Sequence, residues 1–229
     1  MAQRRFDVAS VRPNPDRSDP TMVVNPGGLI YSRVSLEDCF DAAYGVKGYQ
    51  ISGPDWVHRD QFDINAKAEG SNSKDEIMQM LQLLLSDRFK LAFHREQKEL
   101  PVYVLTVGKN GTKLRASDNT EGAFSMGPAA GGIGFHKIAM ADFAGRFLSS
   151  IPMIGRPVLD RTGLTGRYDF TLQLSPTGNA DPGAIKRAAV EEGFSLFSYA
   201  LDQLGLRLEA QKAVIDMFII DHIEKPGEN

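Results

Sequence analysis

Two stretches of this 229-residue chain carry the same signals in the same order, and that internal repeat constrains the fold more than any motif does. In the first, an apolar segment at 29–34 runs into Ser35-Leu36-Glu37-Asp38-Cys39-Phe40, and a later strand signal contains Phe62-Asp63-Ile64. In the second, residues 133–138 run into Ala139-Met140-Ala141-Asp142-Phe143-Ala144, followed by Tyr168-Asp169-Phe170. Asp142 follows Asp38 by 104 residues and Asp169 follows Asp63 by 106, so register is kept apart from loop insertions. The expectation is an α+β protein of two tandem copies of a β-α-β-β-α-β-β unit, with helices packed on small mixed sheets. The first unit spans 1–107 with its leading strand, a Gly-rich linker spans 108–132, and the second unit spans 133–229 with an insertion at 175–193.

Local signals fill in the units. Residues 6–11 alternate and stop at Pro13, which reads as a strand leading into an irregular loop at 12–26 with four prolines. Leu36, Cys39, Phe40, Ala43 and Tyr44 form a helical stripe, with Ser35 as N-cap and Gly45 as C-cap. Residues 49–52 and 62–66 read as strands either side of a Gly53-Pro54-Asp55-Trp56 turn. Ser73 and Glu76 have capping-box spacing before the stripe Ile77, Met80, Leu81, Leu84, Leu85. Strands are expected at 90–95 and 102–107, and in the second half at 206–210 and 217–222. There Met140, Phe143, Ala144, Phe147, Leu148 and Ile151 mark one helix, and Ser195 caps another that ends at Gly205.

Composition narrows the function. A net charge of −3 with scattered basic residues gives no footprint for a phosphate backbone, so nucleic acid is not an expected partner. No run approaches the roughly 18–20 apolar residues that span a bilayer. Residues 1–5 lack the apolar stretch of a signal peptide, which leaves a cytoplasmic protein or a signal already removed. The single Cys39 lies on an apolar helix face and reads as a small buried hydrophobe. A nucleophile elbow, a P-loop, a dinucleotide glycine fingerprint and a His-Glu-x-x-His helix are all missing from the sequence.

The remaining candidates are of two kinds. Tyr49, Asp55, Trp56 and His58 cluster in one loop region, and Asp160 with Arg161 precedes a glycine turn; these six are the expected ligand or partner surface. Asp16, Asp19 and Asp60 are loop carboxylates that serve either as solvated turn caps or as ligands for a divalent cation such as calcium or zinc. The four histidines are too far apart for a local metal motif and read as surface or hydrogen-bonded side chains. Asp63 and Asp169, recurring in both units, point to a structural role such as pairing with Arg88 or Arg167.

Several of these segments together resemble a known family. Residues 6–14, Gly53-Pro54-Asp55-Trp56, Asp87-Arg88-Phe89-Lys90-Leu91, Leu100-Pro101-Val102-Tyr103, the block 160–170 around Thr165-Gly166-Arg167-Tyr168-Asp169, and residues 221–226 are similar to a domain-of-unknown-function family expanded in soil Acidobacteria. That resemblance implies an exported, periplasmic or secreted protein whose partner is an envelope protein or a small molecule, and it transfers no catalytic residue. Each half also resembles the short N-terminal domains of secretins and TonB-dependent receptors. The expected function is a non-catalytic binding or interaction module. Two alternatives stay open: a metal-assisted hydrolase of esters or lactones, and a ligand-sensing domain.

Overall fold

The computed structural model describes residues 4–16, 20–118, 122, 124–174 and 193–227. It is α+β and divides into two compact units, residues 1–98 with 215–229 and residues 99–214. In chain order the elements are β1 (Val8–Pro13), β2 (Thr21–Asn25), β3 (Gly28–Ser35), α1 (Leu36–Tyr44), a 3-10 turn (Gly48–Gln50), β4 (Ile51–Ser52), α2 (Trp56–Arg59), β5 (Gln61–Lys67), α3 (Lys74–Phe89) and β6 (Ala92–Val107). They continue with β7 (Arg115–Ala116), β8 (Ser125–Ala129), β9 (Gly132–Ala139), α4 (Met140–Asp142), which runs on into a π-helical segment (Phe143–Leu148), β10 (Val158–Asp160), β11 (Arg167–Gln173), α5 (Gly193–Gln203) and β12 (Leu206–His222).

Unit 1 is built on an antiparallel sheet ordered β1-β5-β3-β2. Alternation along β5 sends Phe62, Ile64 and Ala66 into the core and leaves Gln61, Asp63 and Asn65 on the other face. The buried face meets Leu36, Cys39, Phe40 and Ala43 of α1 and Ile77, Leu81, Leu84 and Leu85 of α3. Both helices start as their sequences dictate: Ser35 with Asp38, and Ser73 with Glu76, close capping boxes, and Gly45 ends α1 in the left-handed region. The last part of β12 pairs in parallel with β4, where Phe218 faces Ile51 and stacks on Phe93 at 4.0 Å.

Unit 2 repeats that order as β7-β11-β9-β8, and its β10 pairs in parallel with Tyr103–Leu105 of β6. Its core centres on Phe135, Phe143, Phe147 and Phe170, whose rings contact one another, with Leu172, Ala200 and Leu201 around them.

One backbone device occurs in both units. The β3–β5 register shifts between Tyr31 and Val34, and within that bulge Arg33 adopts φ 57°, a left-handed conformation that non-glycine residues avoid. The Arg33 amide donates instead to Asp63 Oδ1 at 2.9 Å. In unit 2, β9–β11 shifts in the same way, Lys137 adopts φ 58°, and its amide donates to Asp169 Oδ1 at 2.7 Å. That bond holds the Asp169 carboxyl below its ordinary pKa. The aspartates therefore serve the bulge amides and not the expected arginines. Arg88 donates to the Ala9 carbonyl and Arg167 to the Lys137 carbonyl.

Other expectations are corrected. Residues 21–25, read as part of an irregular loop, form β2, because Pro20 and Pro26 bound the strand without entering it. The turn at 53–56 leads into α2, and residues 49–52 are half 3-10 turn. Strands expected at 90–95 and 102–107 are one strand, as are those at 206–210 and 217–222; their centres carry exposed polar side chains that break the hydrophobic alternation but not the strand. The expected linker 108–132 lies inside unit 2 and carries β7 and β8, while the unit boundaries fall at 98/99 and 214/215. Ser195 lies within α5 instead of capping it. The proposed insertion falls, for 175–192, outside the described residues.

Gly28 and Gly132 sit at matching hairpin positions, opposite Asn25 and Ala129. A Cβ on either would overlap a backbone carbonyl, that of Ala66 or of Leu172, and Gly28 also has φ +141°. Gly28→Ala and Gly132→Ala are each expected to cost about 3 kcal/mol. The check is denaturant unfolding followed by circular dichroism, and midpoints equal to that of the parent would contradict the packing described.

Candidate functional site

The site is built where β1 ends and β5 begins. Past Pro13, the Asn14 amide donates to the Gln61 carbonyl at 2.8 Å, extending the ladder by one residue. The Asn14 side chain donates Nδ2 to both Asp63 oxygens at 3.1 and 3.0 Å and accepts the Asp16 amide through Oδ1 at 2.9 Å. With Pro13 and Pro15 fixing φ on either side, Asn14 is held firmly. The carboxylate that caps the Arg33 amide thus also positions this side chain.

α2 supplies the next wall. Its last residue is Arg59, and the Asp60 amide closes the turn on the Trp56 carbonyl at 2.9 Å. Beyond β12, Glu224 is pinned by its amide to the Phe89 carbonyl at 2.7 Å, which places Lys225 across from α2. Lys225 Nζ lies 2.6 Å from Asp60 Oδ2 and 5.6 Å from the centre of the Trp56 ring. Each of these exposed contacts contributes roughly 0.5–1 kcal/mol.

Between these walls lies a cavity of about 540 Å³, lined by Asn14, Gln61, Arg59, Asp60, Lys225 and the apolar Pro13, Pro15 and Phe62. The volume falls in the range of small-molecule sites. One lining group is unusual: Gln61 Oε1 is buried and has no hydrogen-bond partner among the described residues. A buried acceptor left in that state costs about 1–3 kcal/mol. The corresponding position in unit 2 is satisfied. There Ser117 takes the place of Asn14, donating its amide to the Arg167 carbonyl at 2.8 Å and its hydroxyl to Asp169 at 3.2 Å. Arg167, in the place of Gln61, donates to the Lys137 carbonyl at 3.0 Å.

The charges at the cavity are internally paired. Asp60 meets Lys225, and Arg59 lies 3.5 Å from Asp55. The opening is therefore lined by amide side chains, apolar proline and phenylalanine surface, and charges paired with one another, which suits a small neutral molecule bearing hydroxyl or amide groups.

Of the residues expected from sequence, the structure gathers Trp56, Asp60 and, through Arg59, Asp55 around this cavity. Tyr49 is half-buried in the 3-10 turn, and burial raises the pKa of its hydroxyl. His58 turns toward α1, with Nδ1 2.7 Å from Glu37 Oε2, and Glu37 reaches that position because Gly48 has no side chain to displace it. Asp160 caps its own turn, accepting the Thr162 amide at 2.9 Å and hydroxyl at 2.7 Å, and Arg161 is exposed beside it; both belong to unit 2. Asp16 sits in the loop after Asn14, and Asp19 lies outside the described residues. Among the described residues, no three His, Cys, Asp or Glu side chains form a group able to hold a metal ion. Three histidines bond to carboxylates: His58 to Glu37, His94 to Asp221 and His222 to Glu224.

Sequence reasoning missed Asn14, Gln61 and Lys225. Gln61 was findable, since the 106-residue offset between Asp63 and Asp169 sets it opposite Arg167. Lys225 carried no signal, because its role comes from the return of the chain after β12.

The hydrogen bond with Glu37 raises the His58 pKa above 6.5, against the partial burial that lowers it. The pair therefore contributes stability in full below pH 6.5 and loses it as the pH rises through the folded-state value. Unfolding free energy measured across neutral pH is expected to show this decline, and His58→Gln is expected to remove that component; an identical profile in the variant would exclude the pair as its source.

A family model described as a protein of unknown function (DUF3738) matches residues 37–223. No curated protein and no solved structure matches the chain.

Proposed function

The chain belongs to this DUF3738 family, and from that premise we propose that it is a non-catalytic binding module whose ligand, a small neutral molecule carrying hydroxyl or amide donors, seats in the cavity of unit 1. The observation that carries the reading is a ligand-sized cavity lined by Gln61, whose buried Oε1 has no hydrogen-bond partner among the described residues. A group that lowers the stability of the empty protein is the kind retained for a ligand that completes it. Paired charges at the rim favour a neutral ligand, and Trp56 beneath Lys225 adds an aromatic surface next to the opening.

Two further elements belong to the proposal. The protein works outside the cytoplasm, a reading that rests on the resemblance of its segments to an exported family. Its units descend from one duplicated module, which the shared strand order and the paired Asp63 and Asp169 bulges support. Unit 2 is then the structural form of the module and unit 1 the form adapted for binding.

The test is a titration of ¹⁵N-labelled protein with neutral sugars, polyols and small amides. Shifts are expected to cluster on the amides of Arg59, Gln61 and Phe62 and to vanish in Gln61→Met. The same substitution removes the orphan acceptor and is expected to stabilise the unliganded protein by about 1 kcal/mol. Shifts confined to other residues, or binding that survives Gln61→Met, would overturn the assignment.

A further inference from the structure

The ends of the sheets are guarded unequally. β1 ends in Arg12-Pro13, β8 contains Gly127-Pro128, β7 is two residues long with an arginine, and β4 and β10 have two and three residues. Charge, proline and shortness are the usual protections against edge-to-edge pairing. β2 has none of them. It runs Thr21-Met22-Val23-Val24-Asn25, uncharged and free of proline, and among the described residues no strand pairs with its outer edge. Apolar side chains are also left in solvent there: Val23 is 47% exposed and its ladder partner Ile30 is 49% exposed.

We propose that β2 is a self-association strand, pairing antiparallel with β2 of a second copy of this chain about a two-fold axis at Val23. The sequence is self-complementary in that register. Val23 meets its own copy, Thr21 meets Asn25 and Met22 meets Val24, so polar ends face polar ends and no like charges are opposed. Because Val23 is paired with Ile30 within each chain, the solvent faces join into one row, Ile30-Val23-Val23-Ile30, across two fused four-stranded sheets. The row covers the outer flank of each Val23 and satisfies edge amides and carbonyls that no described residue bonds. A heterologous apolar peptide is the less suitable occupant, since it gains the same backbone bonds without the matched Val23 and Ile30 row.

The interface is a strand wide, so affinity in the micromolar range is expected. Sedimentation equilibrium of the full chain over about 10–500 µM is the measurement. The expected result is a monomer–dimer equilibrium reaching twice the chain mass. Val23→Lys, which sets two ammonium groups against each other, is expected to hold the protein monomeric with an unchanged thermal melt. Ile30→Lys, one strand further in, is the second variant and is expected to weaken the dimer less than Val23→Lys does. Val8→Lys, on the exposed surface of β1, is expected to leave the dimer intact. A parent chain monomeric throughout, a dimer that persists in both lysine variants, or equal loss in Val8→Lys overturns the proposal.

Discussion

A carboxylate on one strand that accepts a backbone amide from a left-handed residue on the next organises each unit. Asp63 serves Arg33, and Asp169 serves Lys137. Without that acceptor the bulge would combine an unfavourable backbone conformation with an amide removed from the ladder. With it, β3 and β9 turn at the bulge, and α1 and α4 begin directly afterwards. The helices then cover the buried sheet face, which is where Cys39 and Phe40, or Phe143 and Ala144, find their packing. The same carboxylate in unit 1 also grips Asn14, so the interaction that shapes the fold fixes one wall of the cavity.

Much of this was legible in the chain, and the limits have physical causes. Ser35, Gly45, Ser73 and Glu76 specify helix ends through local hydrogen bonds, and such signals depend on little beyond the neighbouring residues. The recurrence of Asp63 and Asp169 was visible, but its meaning was not. Nothing near Arg33 or Lys137 in sequence announces φ > 0 at a basic residue, and the nearest arginines looked like partners. Long strands hid for a related reason. The middles of β6 and β12 hold exposed Glu96, Gln97, Gln211 and Lys212, where alternation has no core to report on. Cross-strand ion pairs such as Lys212–Glu99 and Arg95–Asp216 are formed there by residues more than a hundred positions apart.

The cavity lies where two similar frameworks diverge. At the start of β11 Arg167 donates to the adjacent Lys137 carbonyl, so that position is satisfied. At the start of β5 the buried Gln61 Oε1 has no hydrogen-bond partner among the described residues, and α2 raises a wall beside Gln61 that the described part of unit 2 does not have. The aromatic and acidic residues that drew notice in the sequence contribute mainly by shaping this wall. Trp56 packs against the core with its face under Lys225, and Asp60 fixes that lysine.

The division of the chain has a consequence for how the protein comes into being. Unit 2 is one uninterrupted run, 99–214, whereas unit 1 needs residues made both before and after it. During synthesis from the N-terminus, unit 2 has all its residues in hand while unit 1 still lacks its closing strand segment and Lys225. The other lining residues and the whole of unit 2 precede Lys225 in the chain, so a nascent chain carries the pocket unfinished until that lysine emerges. A chain cut between β12 and Lys225 would therefore lose one side of the cavity while keeping every residue of unit 2.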